Sequence, residues 1–205
     1  MKTLVVLLFA TLALFIAKNR FLSFRSQTPA DYTGTGPAFK MKEVLNGEIL
    51  SEGLIYGPNG KMSNSFVARM VGNWDGNTGT LSEHFTYSNG KQMTRKWYLT
   101  LGTGNTFIAT ADDIVGEGHG TISGSTVKLT YRIILPEDAG GHTLDVTDWM
   151  YLTENGVIMN RSEMRKFGIK VAELIATMRP APEVKSAHVP SSNGYDADAE
   201  QRPLQ

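Results

Sequence analysis

The sequence predicts an all-β fold: an antiparallel up-and-down barrel of about nine or ten strands, preceded by an N-terminal membrane-anchor helix. Three observations predict it. From about residue 40 to residue 179, β-prone windows alternate with period two and are separated by Gly, Asn and Pro turn signals. Between two of these windows stands Glu154-Asn155-Gly156, whose Asn-Gly pair supplies the positive backbone angles of a tight hairpin. In the strand after that turn Val157, Met159, Arg161, Glu163, Arg165 and Phe167 share one face, so charge and hydrophobe lie side by side. Such mixing is unusual in a plain sandwich core and ordinary inside a barrel that holds polar groups, water or a ligand. Hairpin-linked strands escape exposed edges most simply by closing, with a two-sheet sandwich as the competing architecture.

Composition narrows the function classes. The chain has 205 residues, enough for one ordinary domain with terminal extensions. Lys plus Arg and Asp plus Glu each number 20, so no basic excess argues for nucleic acid. There is no cysteine, which removes disulfides, lipid-modified cysteine, thiolate metal sites and thiol nucleophiles. The 21 glycines are spread along the chain, as many short strands and turns require.

The N-terminal element rests on residues 3–17, an uncharged apolar run bounded by Lys2 and Lys18. As a helix these 15 residues span only ~22 Å, short of a ~30 Å hydrocarbon core. Phe15 stands where a signal-peptide cleavage site needs a small residue, so the sequence favours a retained single-span anchor. Lys2 and Lys18 would snorkel, with Phe21, Leu22 and Phe24 at the interface. The expected location is the bacterial inner membrane. Lys18, Arg20 and Arg25 outnumber Lys2 and the amino terminus, which by positive-inside bias places the domain in the cytoplasm. Residues 26–39 read as a tether, residues 40–179 as the barrel, and the Pro-rich residues 180–205 as a disordered tail.

Strands follow in order. Residues 48–56 and 62–74 flank the turn at Gly57-Pro58-Asn59-Gly60. Leu81, Glu83, Phe85 and Tyr87 share a face, as do Met93, Arg95, Trp97 and Leu99 after the Ser88-Asn89-Gly90 turn. Residues 106–115 form the next strand, putting Asp112 and Asp113 on opposite faces, and a Gly-rich strand bend follows over residues 117–123. Val127, Leu129, Tyr131, Ile133 and Leu135 alternate cleanly, the hairpin that turns at Asn155-Gly156 spans residues 145–167, and residues 169–178 alternate as a last strand for which a helix competes.

Candidate sites lie on these faces. Glu83 and Arg95 sit on facing strands and read as an ion pair inside the barrel, able to orient a ligand's polar group. Arg161 joins them if its face points inward; otherwise Asn160, Ser162 and Met164 do. Trp97, Tyr131 and Trp149 would supply contact area, although aromatic residues more often serve as core. Asp112, Asp113 and nearby His119 could relay protons or bind a divalent ion, but the spacing matches no metal motif and strand-end acids commonly bind turn amides. The four histidines show no ligand spacing, and no Gly-x-Ser-x-Gly nucleophile turn occurs.

Several ordered motifs carry a family resemblance: Leu45-Asn46-Gly47, Gly53-Leu54-Ile55-Tyr56-Gly57, Gly72-Asn73-Trp74-Asp75-Gly76, Arg95-Lys96-Trp97, Ala111-Asp112-Asp113, Asp148-Trp149-Met150-Tyr151 and Lys166-Phe167-Gly168. The chain resembles an uncharacterised bacterial family, domain of unknown function 3833. The resemblance implies a lipocalin-like barrel, often lipoprotein-like or membrane-attached, with no established activity. This chain lacks the lipid-acceptor cysteine of many relatives, whose kinship implies an extracytoplasmic domain against the charge asymmetry. The expectation is a membrane-anchored, non-enzymatic, lipocalin-like barrel that binds a small amphipathic or lipidic molecule through Glu83, Arg95, Trp97, Tyr131, Trp149 and Arg161. It expects no cofactor, no metal and no nucleic acid. A solid-core envelope scaffold and an enzyme using Asp112 or Asp113 are the alternatives.

Overall fold

The computed structural model describes residues 2–182. Ten strands follow an N-terminal region: β1 (Gly47–Tyr56), β2 (Met62–Asp75), β3 (Thr78–Tyr87), β4 (Gln92–Leu101), β5 (Thr106–Thr110), β6 (Gly118–Ser123), β7 (Thr126–Ile134), β8 (Thr143–Leu152), β9 (Ile158–Lys166) and β10 (Ile169–Pro180). Each pairs with the next and β10 pairs antiparallel with β1, so the sheet closes into a barrel. Closure gives every strand two partners and leaves no edge. It also decides the last element: β10 pairs with β9 on one side and β1 on the other, which a helix there could not do. The tail expected over residues 180–205 lies, from residue 183 onward, outside the described residues.

Alternation sorts most side chains as expected. Ile49, Phe66, Met70, Leu81, Phe85, Trp97, Leu99, Phe107, Val127 and Leu129 are buried inside. In β9 the sign is reversed. Ile158, 2% exposed, takes the interior, and with period two it carries Asn160, Ser162 and Met164 inward. Arg161, Glu163 and Arg165 therefore lie on the outer wall. There Arg161 Nε donates to Glu173 Oε1 at 2.7 Å, Lys170 Nζ to Glu173 Oε2 at 2.7 Å, and Arg165 Nη2 to Glu163 Oε2 at 2.6 Å. A second boundary also moves: β5 ends at Thr110, so Asp112 and Asp113 stand in a turn rather than on opposite faces of a strand.

The N-terminal region departs further from expectation. Helix α1 (Lys2–Phe21) holds the apolar run, and Leu4, Leu7, Leu8, Phe9 and Leu14 are all at least 60% exposed. The spanning anchor is not supported, because among the described residues no helix is long and apolar enough to cross a membrane. Its apolar stretch ends at Lys18, several ångströms short of bilayer thickness.

Residues 26–39, read as a tether, are docked on the barrel. Two 3-10 turns lie on the outer wall, Phe24–Ser26 against β9 and Pro29–Tyr32 over β6 and β7 with the Tyr32 ring on β8. Phe24 is buried beneath the Arg161 guanidinium, 4.8 Å from its ring centroid. The Tyr32 ring packs 5.3 Å from that of Trp149, which is only 1% exposed, and Gln27 Oε1 accepts from the hydroxyls of both Tyr32 (2.5 Å) and Tyr151 (2.6 Å). Isolated aromatic anchors of this kind leave no period in the sequence, which is why the segment reads as loop. Beyond it, Phe39 N donates to Gly124 O at 2.8 Å, and the short helix α2 (Met41–Val44) with Leu45 plugs one barrel end. Trp74 Nε1 donates to Leu45 O at 2.8 Å, and Gly72 lies so near that an added Cβ would stand 2.2 Å from that oxygen.

Two substitutions test this packing. Trp149→Ala is expected to cost ~3–5 kcal/mol in chemical denaturation and to speed proteolysis of residues 22–35, because the aromatic anchor is lost. Gly72→Ala is expected to lower the melting temperature by displacing the plug, without loosening residues 22–35.

Candidate functional site

A continuous space of about 1090 Å³ runs from the α2 plug through the barrel and out of its mouth. Its mouth lies at the end opposite the plug, where Asn89 and Lys91 of the β3–β4 turn face Pro136, Asp138 and Ala139 of the β7–β8 loop. Lys91 and Asp138 form an ion pair across that gap. Most of the lining is apolar, including Phe66, Met70, Phe85, Met164, Leu174 and Met178.

One wall is polar. Glu83 on β3 and Arg95 on β4 are register partners and both line the cavity. Yet the ion pair of Arg95 is not with Glu83 as expected: Arg95 Nε donates to Asp113 Oδ1 at 3.0 Å. The turn after β5 is what brings Asp113 over Arg95. The guanidinium carbon lies 4.0 Å from the Trp97 ring centroid and 5.5 Å from that of Tyr131, and these two rings meet edge to face. On the adjoining wall Asp148 is fully engaged. Its Oδ2 accepts from the Tyr131 hydroxyl at 3.2 Å, and its Oδ1 accepts from Asn160 Nδ2 at 3.3 Å and from the Ser162 hydroxyl.

Three carboxyls thus surround one arginine in a low-dielectric interior. Burial pushes the Glu83 carboxyl up to about 7, with the Arg95 charge pulling the other way and Asp148 and Asp113 reinforcing the rise. Burial likewise raises Asp148, against the hydrogen bonds of Ser162 and Asn160. Burial opposes the charge of Arg95, but Tyr131, Glu83 and Asp113 outweigh it and hold the guanidinium protonated. One donor is unused: Arg95 Nη2 is buried and has no hydrogen-bond partner. Such a group costs free energy unless something satisfies it.

Of the six expected site residues, Glu83, Arg95, Trp97 and Tyr131 converge on this cluster. Trp149 and Arg161 do not. They are cross-strand neighbours on the outer wall, beneath Tyr32 and over Phe24. Asp113 belongs to the cluster as the partner of Arg95, whereas Asp112 is exposed in the turn and His119 points outward. Among the described residues no group of three His, Asp or Glu side chains could hold a metal ion. Asp148 was missed, although its place on the Leu144, Val146, Met150 face was a signal for a buried acid.

A family model for a protein of unknown function, DUF3833, matches residues 19–180. The chain belongs to the DUF3833 family. No curated protein matches it. Among solved structures, Rv2717c from M. tuberculosis is similar with a TM-score of 0.51 at 14% identity, covering 72% of this chain and 99% of that one. A redesigned β-barrel, b11L5F_LGL, is similar at a TM-score of 0.39 and 13% identity, covering 73% of this chain and 99% of the design. These likenesses concern the barrel alone. In this DUF3833 protein the matched region includes the docked outer-wall segment and the plug as well as all ten strands.

The buried acid gives the DUF3833 barrel a pH signature. The folded chain keeps the Glu83 proton up to about 7, while an ordinary glutamic acid releases it near 4.5. The stability this contributes is intact below 4.5 and is lost as pH rises through 7, by about 3 kcal/mol at ~1.4 kcal/mol per pH unit. Denaturation of wild type between pH 4 and 8 should show this fall, and Glu83→Gln should remove the part of it due to Glu83, leaving the part due to Asp148, which burial also raises. Parallel pH profiles for the two proteins would contradict the assignment.

Proposed function

We propose that this protein binds a small neutral amphipathic molecule inside the barrel and works at a bacterial membrane. The observation that carries the reading is the unpartnered Arg95 Nη2 at the edge of a large apolar cavity. A ligand's apolar body fits along Phe66, Met70, Phe85 and Leu174, and its polar end fits at Arg95 and Glu83. A carboxylate head is disfavoured, since Glu83, Asp113 and Asp148 already stand around the single cation. An ester or amide carbonyl suits the site better: it accepts from Arg95 Nη2 and from the proton that Glu83 retains. The solid-core scaffold reading is weakened by a space well above the ~300 Å³ of an ordinary ligand pocket. The enzyme reading is weakened because Asp113 is committed to Arg95.

Membrane association is supported by α1. A helix apolar on every side and exposed to solvent has nowhere to bury that surface within its own barrel. Set in a bilayer, it would hold the barrel close, because the chain that follows it is docked rather than free.

Titration of the full chain in mild detergent with a fluorescent monoacylglycerol and with the matching free fatty acid tests the ligand class. Saturable binding of the ester, at least about tenfold tighter than the acid, is expected, as one satisfied buried donor is worth roughly 1–3 kcal/mol. Arg95→Met should erase the preference, and Leu174→Trp, which fills the apolar part and keeps every charge, should reduce binding of both. Absence of saturable binding by either probe would overturn the reading.

A further inference from the structure

The turn between β9 and β10 differs in kind from the other tight turns of this chain. Those at Asn59-Gly60, Asn89-Gly90 and Asn155-Gly156 place only their glycine at positive φ, 75°, 82° and 78°. Here the two central residues are Phe167 and Gly168, with φ of 52° and 78°. A positive φ is routine for glycine and unfavourable for a bulky side chain, costing Phe167 conformational energy that asparagine would largely avoid. The phenylalanine packs on no apolar neighbour in return, its ring meeting only the Lys166 ammonium at 5.7 Å: it is 91% exposed, and Ile169 beside it is 69% exposed. Lys166 and Lys170 flank the pair, the first 2.9 Å from His142 Nδ1 and the second paired with Glu173. The adjoining β1–β2 turn, next to β10 in the closed sheet, adds Lys61 and Met62, the latter 57% exposed.

These two tips occupy one side of the cavity mouth. The opposite arc of the rim carries Asp112, Glu117, Glu137 and Asp138, with Lys91 tied to Asp138. The rim is thus divided into an apolar, basic side and an acidic side. The N-terminal chain has a matching direction. Traced backwards it runs around the outer wall from Tyr32 on Trp149 of β8 to Phe24 on Arg161 of β9, the strand that leads into the β9–β10 tip.

We propose that the β9–β10 tip inserts Phe167 and Ile169 into the interfacial region of an anionic lipid bilayer, setting the cavity mouth against the membrane. Aromatic and aliphatic side chains bury in the headgroup–acyl boundary while neighbouring lysines meet anionic headgroups. The acidic arc is repelled from the same surface, which tilts the barrel and leaves the Lys91–Asp138 side of the mouth toward water. This contact needs only the tip and a lipid surface. It shares membrane attachment with the proposed function but stands without the ligand.

The cysteine-free chain makes the test direct. Ile169→Cys in the full-length protein carries a nitrobenzoxadiazole probe at the tip, and Glu154→Cys carries the same probe in the β8–β9 turn at the plugged end. Each is mixed with vesicles of equal phosphatidylcholine and phosphatidylglycerol. On vesicles that co-sediment the protein, the probe at 169 should shift to the blue, brighten severalfold and be quenched by lipids brominated near the headgroup. The probe at 154 should stay as in buffer. Adding Phe167→Ser should remove most of the response at 169 while α1 still holds the protein on the vesicles. A probe at 169 that remains water-like on co-sedimenting vesicles, or equal responses at the two ends, would overturn the tip contact and leave attachment through α1 standing. Protein that stays in the supernatant would overturn both.

Discussion

Everything in this molecule depends on the ladder between its first and last strands. β1 and β10 are far apart in sequence, and their pairing from Ile49↔Pro180 to Tyr56↔Glu173 turns a ten-strand meander into a closed wall. An open sheet of this length would carry two unpaired edges and let water reach both faces. Closure removes the edges and creates an interior, and the interior makes the alternation of side chains consequential. Glu83, Arg95 and Asp148 have unusual electrostatics because the wall around them is complete.

That interior is not packed solid. Large residues do fill parts of it: Phe107 lies so close to Gly120 that an added Cβ would meet its ring at 2.0 Å. Around Arg95 the wall instead gathers charge, aromatic rings and hydroxyls on one side and leaves apolar surface on the other. The outcome is a cavity with a chemical direction. The same group that fixes that direction, the arginine, also keeps a buried donor that the protein does not satisfy.

The outer wall has its own organisation. Trp149 and Arg161 form the seat for Phe24 and Tyr32, so the barrel holds the N-terminal chain on its surface before that chain enters the plug. A flexible linker would let the barrel wander from whatever holds α1. A strap with buried aromatic anchors instead fixes which side of the barrel α1 leaves. The seat lies on β8 and β9, the second of which leads directly into the β9–β10 tip.

Much of this was legible in the sequence, for identifiable reasons. Asn-Gly turns and period-two runs encode hairpins locally, so the all-β meander, the pairing of the Glu83 and Arg95 strands and the convergence of Trp97 and Tyr131 could be read without coordinates. The family could be read from its ordered motifs. Alternation, however, divides a strand into two faces without saying which is inside. In β9 both faces mix polar and apolar residues, and only the closed barrel, by burying Ile158, sends Ser162 inward and Arg161 out. Partners supplied by loops are equally silent in sequence: Asp113 reaches Arg95 because β5 stops early, and residues 26–39 dock through single aromatics that make no pattern. What sequence alone determined is the set of strands and the chemistry each face can offer. Tertiary structure decided which faces enclose the cavity, because inside and outside exist only once β10 has paired with β1.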